Sequence, residues 1–205
     1  MKKVTALVAQ KKNKKRVNLY LDGEYYCALD AFVALSNGLK VGAVVDEAKL
    51  SETLKEAEYA SALERATGYL SRSMHTKAQM IKYLKDKKYD GKVIARVIDK
   101  LLDYGYVDDE AFAKKYVAEK SRSSGARKIA FELKTKGVSE EIIDSVLDIG
   151  DYDSACLAVA KKYVKGQPLD QKLKQKAYRY LLSKGFDYDA VKSAIEKIED
   201  ENDNT

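Results

Sequence analysis

One pattern returns three times along this chain, every 47 to 49 residues, and it limits the possible folds more than any other feature. Its first part reads Ala66-x-x-Tyr69-Leu70, Ala113-x-x-Tyr116-Val117 and Ala160-x-x-Tyr163-Val164. Its second reads Met80-Ile81-x-x-Leu84, Ile129-Ala130-x-x-Leu133 and Ala177-Tyr178-x-x-Leu181. Its third reads Val93-Ile94-x-x-Val97-Ile98, Ile142-Ile143-x-x-Val146-Leu147 and Ala190-Val191-x-x-Ala194-Ile195. Apolar residues at i, i+1, i+4 or i, i+3, i+4 form the stripe of a helix that buries one face. Each repeat is therefore three short helices. An array of such repeats works through its long surface and encloses no deep cleft. A binding protein is favoured over an enzyme.

The punctuation between helices repeats as well. Asp46 or Ser51 caps a helix running to about Ser71, Thr76 opens the next, and Asp90 caps a third that stops at Tyr104-Gly105. The second repeat starts at Asp108, breaks at Ser123-Ser124-Gly125 and at Gly137, and has Ser139 as its last cap. The third breaks at Gly166-Gln167-Pro168 and Gly185, with Asp187 as its last cap. Asp90, Ser139 and Asp187 fall at equivalent points, so caps and core agree. The expected fold is mainly α: an elongated tandem array of three three-helix units at residues 46–107, 108–150 and 151–200, with a polar tail at 201–205.

Residues 1–45 follow a different period and form a small β-rich module. Val4 to Gln10 and Val17 to Asp22 read as strands joined by a turn-like basic stretch, Lys11 to Arg16. Val17, Leu19 and Leu21 alternate with polar neighbours, the period of a half-buried strand. Asp22-Gly23 signals a hairpin, and Tyr25 to Ala28 returns as a third strand. Asp30 caps a short helix, Ala31 to Ser36, and Ala43 to Val45 is extended.

Apolar residues make up 45% of the chain, enough for a core, and the formal net charge is +6. That balance suits nucleic acid or an acidic partner. From Lys161 to Lys184 there are eight Lys or Arg against one acid, Asp170, so the basic character is local. Cys27 and Cys156 stand apart, with no metal-binding spacing, and read as small buried residues in a reducing cytoplasm. No apolar run is long enough to span a membrane, and Val4 to Ala9 is too short and polar for a signal peptide.

Leu102-Asp103-Tyr104-Gly105-Tyr106-Val107-Asp108-Asp109-Glu110-Ala111-Phe112-Ala113 resembles the signature of the RecX family. Gly125-Ala126-Arg127-Lys128-Ile129 is similar too, as are the phrases Leu133-Lys134-Thr135-Lys136-Gly137 and Leu181-Leu182-Ser183-Lys184-Gly185. The first repeat alters that phrase to Leu84-Lys85-Asp86-Lys87-Lys88. The strand-rich module resembles the extension of longer members. The resemblance implies curved arrays of three-helix units, lying in the groove of the RecA filament on single-stranded DNA. It also implies inhibition of recombinase activity and ATP hydrolysis by RecA. The chain is expected to act as a cytoplasmic monomer without a cofactor, with the RecA filament and single-stranded or duplex DNA as partners.

Asp108-Asp109-Glu110 reads as helix capping, since catalytic metal sites gather carboxylates from several segments. His75, the one histidine, reads as an exposed turn residue, and no acid–base constellation or phosphate-cradling GxxxxGK[ST] phrase accompanies it. The tyrosines at 69, 116 and 163 read as core residues whose hydroxyls reach the edge. Tyr106, Tyr152 and Tyr188 are the exposed ones, and nothing singles them out for stacking.

The basic residues carry more. Lys172, Lys176 and Arg179 stand at i, i+4, i+7 on one face of the third repeat's middle helix. Arg122, Arg127 and Lys128 bracket the start of the corresponding helix in the second repeat, where unpaired N–H groups suit phosphate. Lys77 and Lys82, with Lys85, occupy the first. Such a stripe gives salt-sensitive binding to a phosphate backbone or to a recombinase filament. The alternatives are a nucleic-acid-binding array acting without RecA and a helical scaffold for an acidic protein.

Overall fold

The computed structural model describes residues 1–11, 13–167 and 169–203. The chain divides into two compact units, Met1–Tyr69 with Leu84–Asp99, and Leu70–Tyr83 with Lys100 onward. Among the described residues it forms four strands and ten helices.

The N-terminal strands are β1 (Lys2–Gln10), β2 (Asn13–Leu21), β3 (Glu24–Asp30) and β4 (Val44–Val45), with helix α1 (Ala31–Ser36) between the last two. The sheet order is β3-β2-β1-β4 and each pairing is antiparallel. Asp22 and Gly23 join β2 to β3 with φ of 50° and 90°, the left-handed pair that a tight hairpin demands. The Asp22 carboxylate accepts from the Lys3 amide at 2.9 Å and ties the turn to β1. Leu19 and Leu21 point inward with Val4, Leu29, Ala34, Leu39 and Leu50. The basic stretch after Gln10 differs from expectation: β2 begins at Asn13, so Lys14, Lys15 and Arg16 are strand residues. Pairing of Arg16 with Asp30 and a 3.0 Å bond from its guanidinium to the Ala28 carbonyl extend the ladder there. Lys12 lies outside the described residues.

The three repeats follow. The first is α2 (Glu47–Leu70), α3 (Lys77–Asp86) and α4 (Gly91–Asp103). The second is α5 (Asp109–Lys120), α6 (Ala126–Thr135) and α7 (Glu140–Leu147). The third is α8 (Tyr152–Val164), α9 (Gln171–Ser183) and α10 (Tyr188–Asp203). Equivalent positions are buried in all three: Ala66, Ala113 and Ala160; Met80, Ile129 and Ala177; Leu84, Leu133 and Leu181; Val97, Val146 and Ala194. Thr76 opens α3 as a reciprocal box, its hydroxyl accepting from the Gln79 amide while Gln79 accepts from the Thr76 amide.

The Leu-x-x-Lys-Gly phrase turns out to be a helix terminator. Gly137 has φ of 83°, its amide donates to the Lys134 carbonyl, and Val138 donates back to Leu133. Gly185 and Phe186 repeat this at the end of α9. This is the Schellman ending, with the following apolar residue folded onto the helix. In the first repeat Lys88 takes the same left-handed place at φ of 66° without being a glycine.

Several local expectations need correction. Helix α10 runs on to Asp203, and Glu201 pairs with Lys161 at 2.7 Å, so residues 201–203 are helix rather than tail. Residues 204 and 205, and the loop position of Pro168, lie outside the described residues. Tyr152 is half-buried, its hydroxyl donating to the Leu147 carbonyl. His75 is half-buried too, with Ser73 Oγ 3.0 Å from Nε2. Burial is the main influence that lowers its pKa, with Lys136 adding to it. Cys156 is buried as expected but Cys27 only half so, because β3 is an edge strand.

Candidate functional site

The candidate surface lies in the second compact unit and is organised by two junctions between repeats. At the first, the Thr76 hydroxyl donates to the Lys136 carbonyl at 2.6 Å. A β-carbon on Gly137 would meet that of Ala78 at 2.3 Å. At the second, the Gly125 amide donates to the Lys184 carbonyl at 3.0 Å. Here a β-carbon on Gly185 would lie 2.5 Å from the Lys128 amide nitrogen. The C-terminus of α6 thus abuts the N-terminus of α3, and the C-terminus of α9 abuts that of α6. Opposite dipole ends meet at both contacts.

These contacts change the reading of the helix starts. The N-terminus of α6 is stoppered by the end of α9, so it offers no open amide cradle to phosphate. At α3 the Lys77 amide donates to the Asp109 carboxylate at 2.7 Å. Each acid of the 108–110 triplet then has its own structural task. Asp108 caps α5 through the Ala111 amide, Asp109 caps α3 in the preceding repeat, and Glu110 pairs with Lys114 at 2.6 Å. Sequence periodicity gave the first of these tasks and missed the second, because it carries no sign of which helix ends meet.

Lys172, Lys176 and Arg179 are exposed along α9, as their spacing requires. Lys77 and Lys82 are exposed on α3 and Arg122 in the α5–α6 connection. Arg127 is exposed but its guanidinium pairs with Asp187 at 2.7 Å. Exposed pairs of this kind contribute only about 0–1 kcal/mol, so another anion can take its place. Lys128 is half-buried, its backbone seated against Gly185 at the junction. It belongs more to the fold than to a binding face. The structure therefore groups Lys172, Lys176 and Arg179 on one helix, while Arg127 and Lys128 serve the second junction.

Family models match the chain in four segments between residues 2 and 195. They are the regulatory protein RecX N-terminal domain over residues 2–46 and the RecX first, second and third three-helix domains over 62–101, 108–147 and 150–195. The regulatory protein RecX of Clostridium tetani (strain Massachusetts / E88) is 37% identical over 203 residues, which is 96% of this chain and 94% of that one. The chain belongs to the RecX family. The regulatory protein RecX of Bacillus velezensis is 33% identical, covering 98% of this chain and 79% of its own. A crystal structure of regulatory protein RecX superposes with a TM-score of 0.65 at 28% identity, over 98% of this chain and 100% of that one. The fold also matches RecX from Lactobacillus salivarius, at a TM-score of 0.65 over 70% of this chain and 98% of the other.

Within this RecX fold, two features went unread in the sequence. Phe131 is 71% exposed on α6, at the position where α3 has Lys82 and α9 has Arg179. An exposed aromatic ring is a common anchor for a protein or a base. The other is a recess beside the second junction, where Lys162, Lys165 and Lys184 surround the rings of Tyr163 and Tyr180. Those rings stack at 4.4 Å between centroids, and Tyr163 is half-buried against the core as its repeat position implied. The excess of cations from Lys161 to Lys184 was the signal for this recess. Its convergence depends on folding.

In the second repeat, Tyr116 is half-buried and donates to the Glu132 carboxylate at 2.6 Å. Burial, and then that bond, push its phenol pKa up to about 12. No helix of the described residues is long and apolar enough to cross a membrane.

Proposed function

We propose that this RecX-family protein regulates the RecA recombinase, binding its filament on single-stranded DNA and restraining ATP hydrolysis and strand exchange. The observation that carries the reading is the exposed row Lys172, Lys176 and Arg179 on α9, in a chain matched over its length by regulatory relatives. Lys77, Lys82, Arg122 and Arg127 extend the surface, while Lys128 stays with the second junction. Cations of this kind bind phosphate and acidic protein faces with steep salt dependence.

The protein acts without chemistry of its own, as a cytoplasmic monomer. A surface spread over several repeats bridges neighbouring recombinase subunits and hinders the subunit changes that accompany ATP turnover. Phe131 supplies an apolar anchor within the basic surface.

RecA-driven strand exchange, titrated with the purified protein, tests this reading. Strand exchange falls as protein is added and recovers when α9 carries K172E, K176E and R179E. If exchange is unaffected while bare DNA is still bound, the protein is a nucleic-acid-binding array acting apart from RecA.

A further inference from the structure

The recess at the second junction has the composition of a binding site. It measures about 660 Å³, opens to solvent, and is lined by Ser123, Val159, Lys162, Tyr163, Lys165, Tyr180 and Lys184. A volume of this order suits a small organic ligand or one nucleotide. Neighbouring lysines are neutralised: Lys161 pairs with Glu201 and Lys174 with Glu199. None of the three recess lysines forms an ion pair among the described residues. Lys184 instead holds its ammonium 5.3 Å from the Tyr180 ring centroid. Lys165 occupies a left-handed position, φ 50°, where a residue with a β-carbon is disfavoured.

Lysines at helix C-termini often serve the helix dipole, and both α8 and α9 end here. The repeat itself separates that role from ligand binding. The first junction has the same helix ends and the same lysine, with Lys136 at the place of Lys184. There, however, Glu132 stands where Tyr180 stands, and it accepts from the Tyr116 hydroxyl. Ala118 stands in place of Lys165. Helix ends account for Lys136 and Lys184 alike. They do not account for the loss of the acid at the second junction, because the first has a third lysine of its own, Lys120, 5.7 Å from the Tyr116 ring centroid, and keeps Glu132 beside it.

We propose that this recess is an anion site for a nucleotide phosphate. The phosphate comes from single-stranded nucleic acid or from a free nucleotide. Lys162, Lys165 and Lys184 neutralise it, with the Tyr163–Tyr180 stack beside the base. Lysine suits phosphate as a compact point charge, and aromatic rings accept any base. The inference deepens the nucleic-acid part of the reading above and rests on it.

The test measures binding of a labelled oligothymidylate by fluorescence anisotropy, over a range of salt, with no recombinase present. The recess variant is K162Q with K165G, since glycine suits the left-handed position and preserves the fold. A matched variant, K115Q with K120Q, removes the same charge elsewhere. The recess variant loses about tenfold or more in affinity, and its slope against log salt falls by roughly 1 to 2. The matched variant stays within about threefold of the parent. Competition by ATP, lost in the recess variant, identifies a free nucleotide as the source; failure to compete identifies the strand. A recess variant equal to the parent toward both probes overturns the proposal. Because RecA is absent, that result leaves the recombinase reading untouched, and a parent protein inert toward RecA leaves the recess untouched.

Discussion

The buried hydroxyl of Thr76 donates to the carbonyl of Lys136, sixty residues later in the chain, at 2.6 Å. The same oxygen accepts from the Gln79 amide, so one side chain both starts α3 and fastens it to the end of α6. Removing it breaks a cap and leaves a carbonyl without its partner. Thr76→Val should lower stability by about 1–3 kcal/mol, while Thr76→Ser retains most of it. Urea denaturation of the three proteins checks this.

Gly185 and Lys88 fill the same terminator position with opposite consequences. Gly185→Ala adds strain at φ of 84° and drives a β-carbon against the Lys128 backbone. It should cost more than about 1–2 kcal/mol. Lys88→Gly relieves a left-handed lysine and should raise stability by about 0.5–1 kcal/mol, because relief of strain exceeds the added chain entropy. Thermal melts that moved in the same direction for both variants would contradict the shared geometry.

Tyr116 links stability to alkaline pH. Its pKa rises on folding from 10.0 to about 12, with burial the larger cause and the Glu132 bond the second. A raised folded pKa gives stability that is complete below the unfolded value and is lost as pH climbs through the folded one. Stability should therefore decline between pH 10 and about 12. Tyr116→Phe should flatten that part of the profile. Denaturation midpoints across this range, with tyrosinate absorbance as the titration record, test it.

The interior of the repeats was legible because burial recurs at fixed spacing: Leu84, Leu133 and Leu181 are buried alike. Caps were legible for the same local reason, as Asp108 and Ser139 show by bonding amides three residues ahead. The junctions were not. That Asp109 caps α3, or that Arg127 meets Asp187, depends on which helix ends abut, and helical period is silent on that. The α9 cations were readable from spacing along one helix. The recess was not, since Ser123, Lys162 and Lys184 come from three separate segments.

The α9 row and the junction cations should separate in binding experiments. Charge reversal as K172E, K176E and R179E should weaken filament affinity about tenfold or more and reduce its salt slope. Arg127→Glu alone should have a smaller effect on affinity, and it places like charge beside Asp187. Pelleting with RecA filaments at several salt concentrations ranks the two. Equal losses would mean that the two sets act as one surface.

The most direct measurement is ATP hydrolysis by RecA on single-stranded DNA, titrated with the parent protein and with the α9 charge-reversal variant. Inhibition by the parent at less than one copy per recombinase, largely lost in the variant, is the result expected. A hydrolysis rate that stays constant across the whole titration, with the protein folded and present, would contradict a role in regulating RecA.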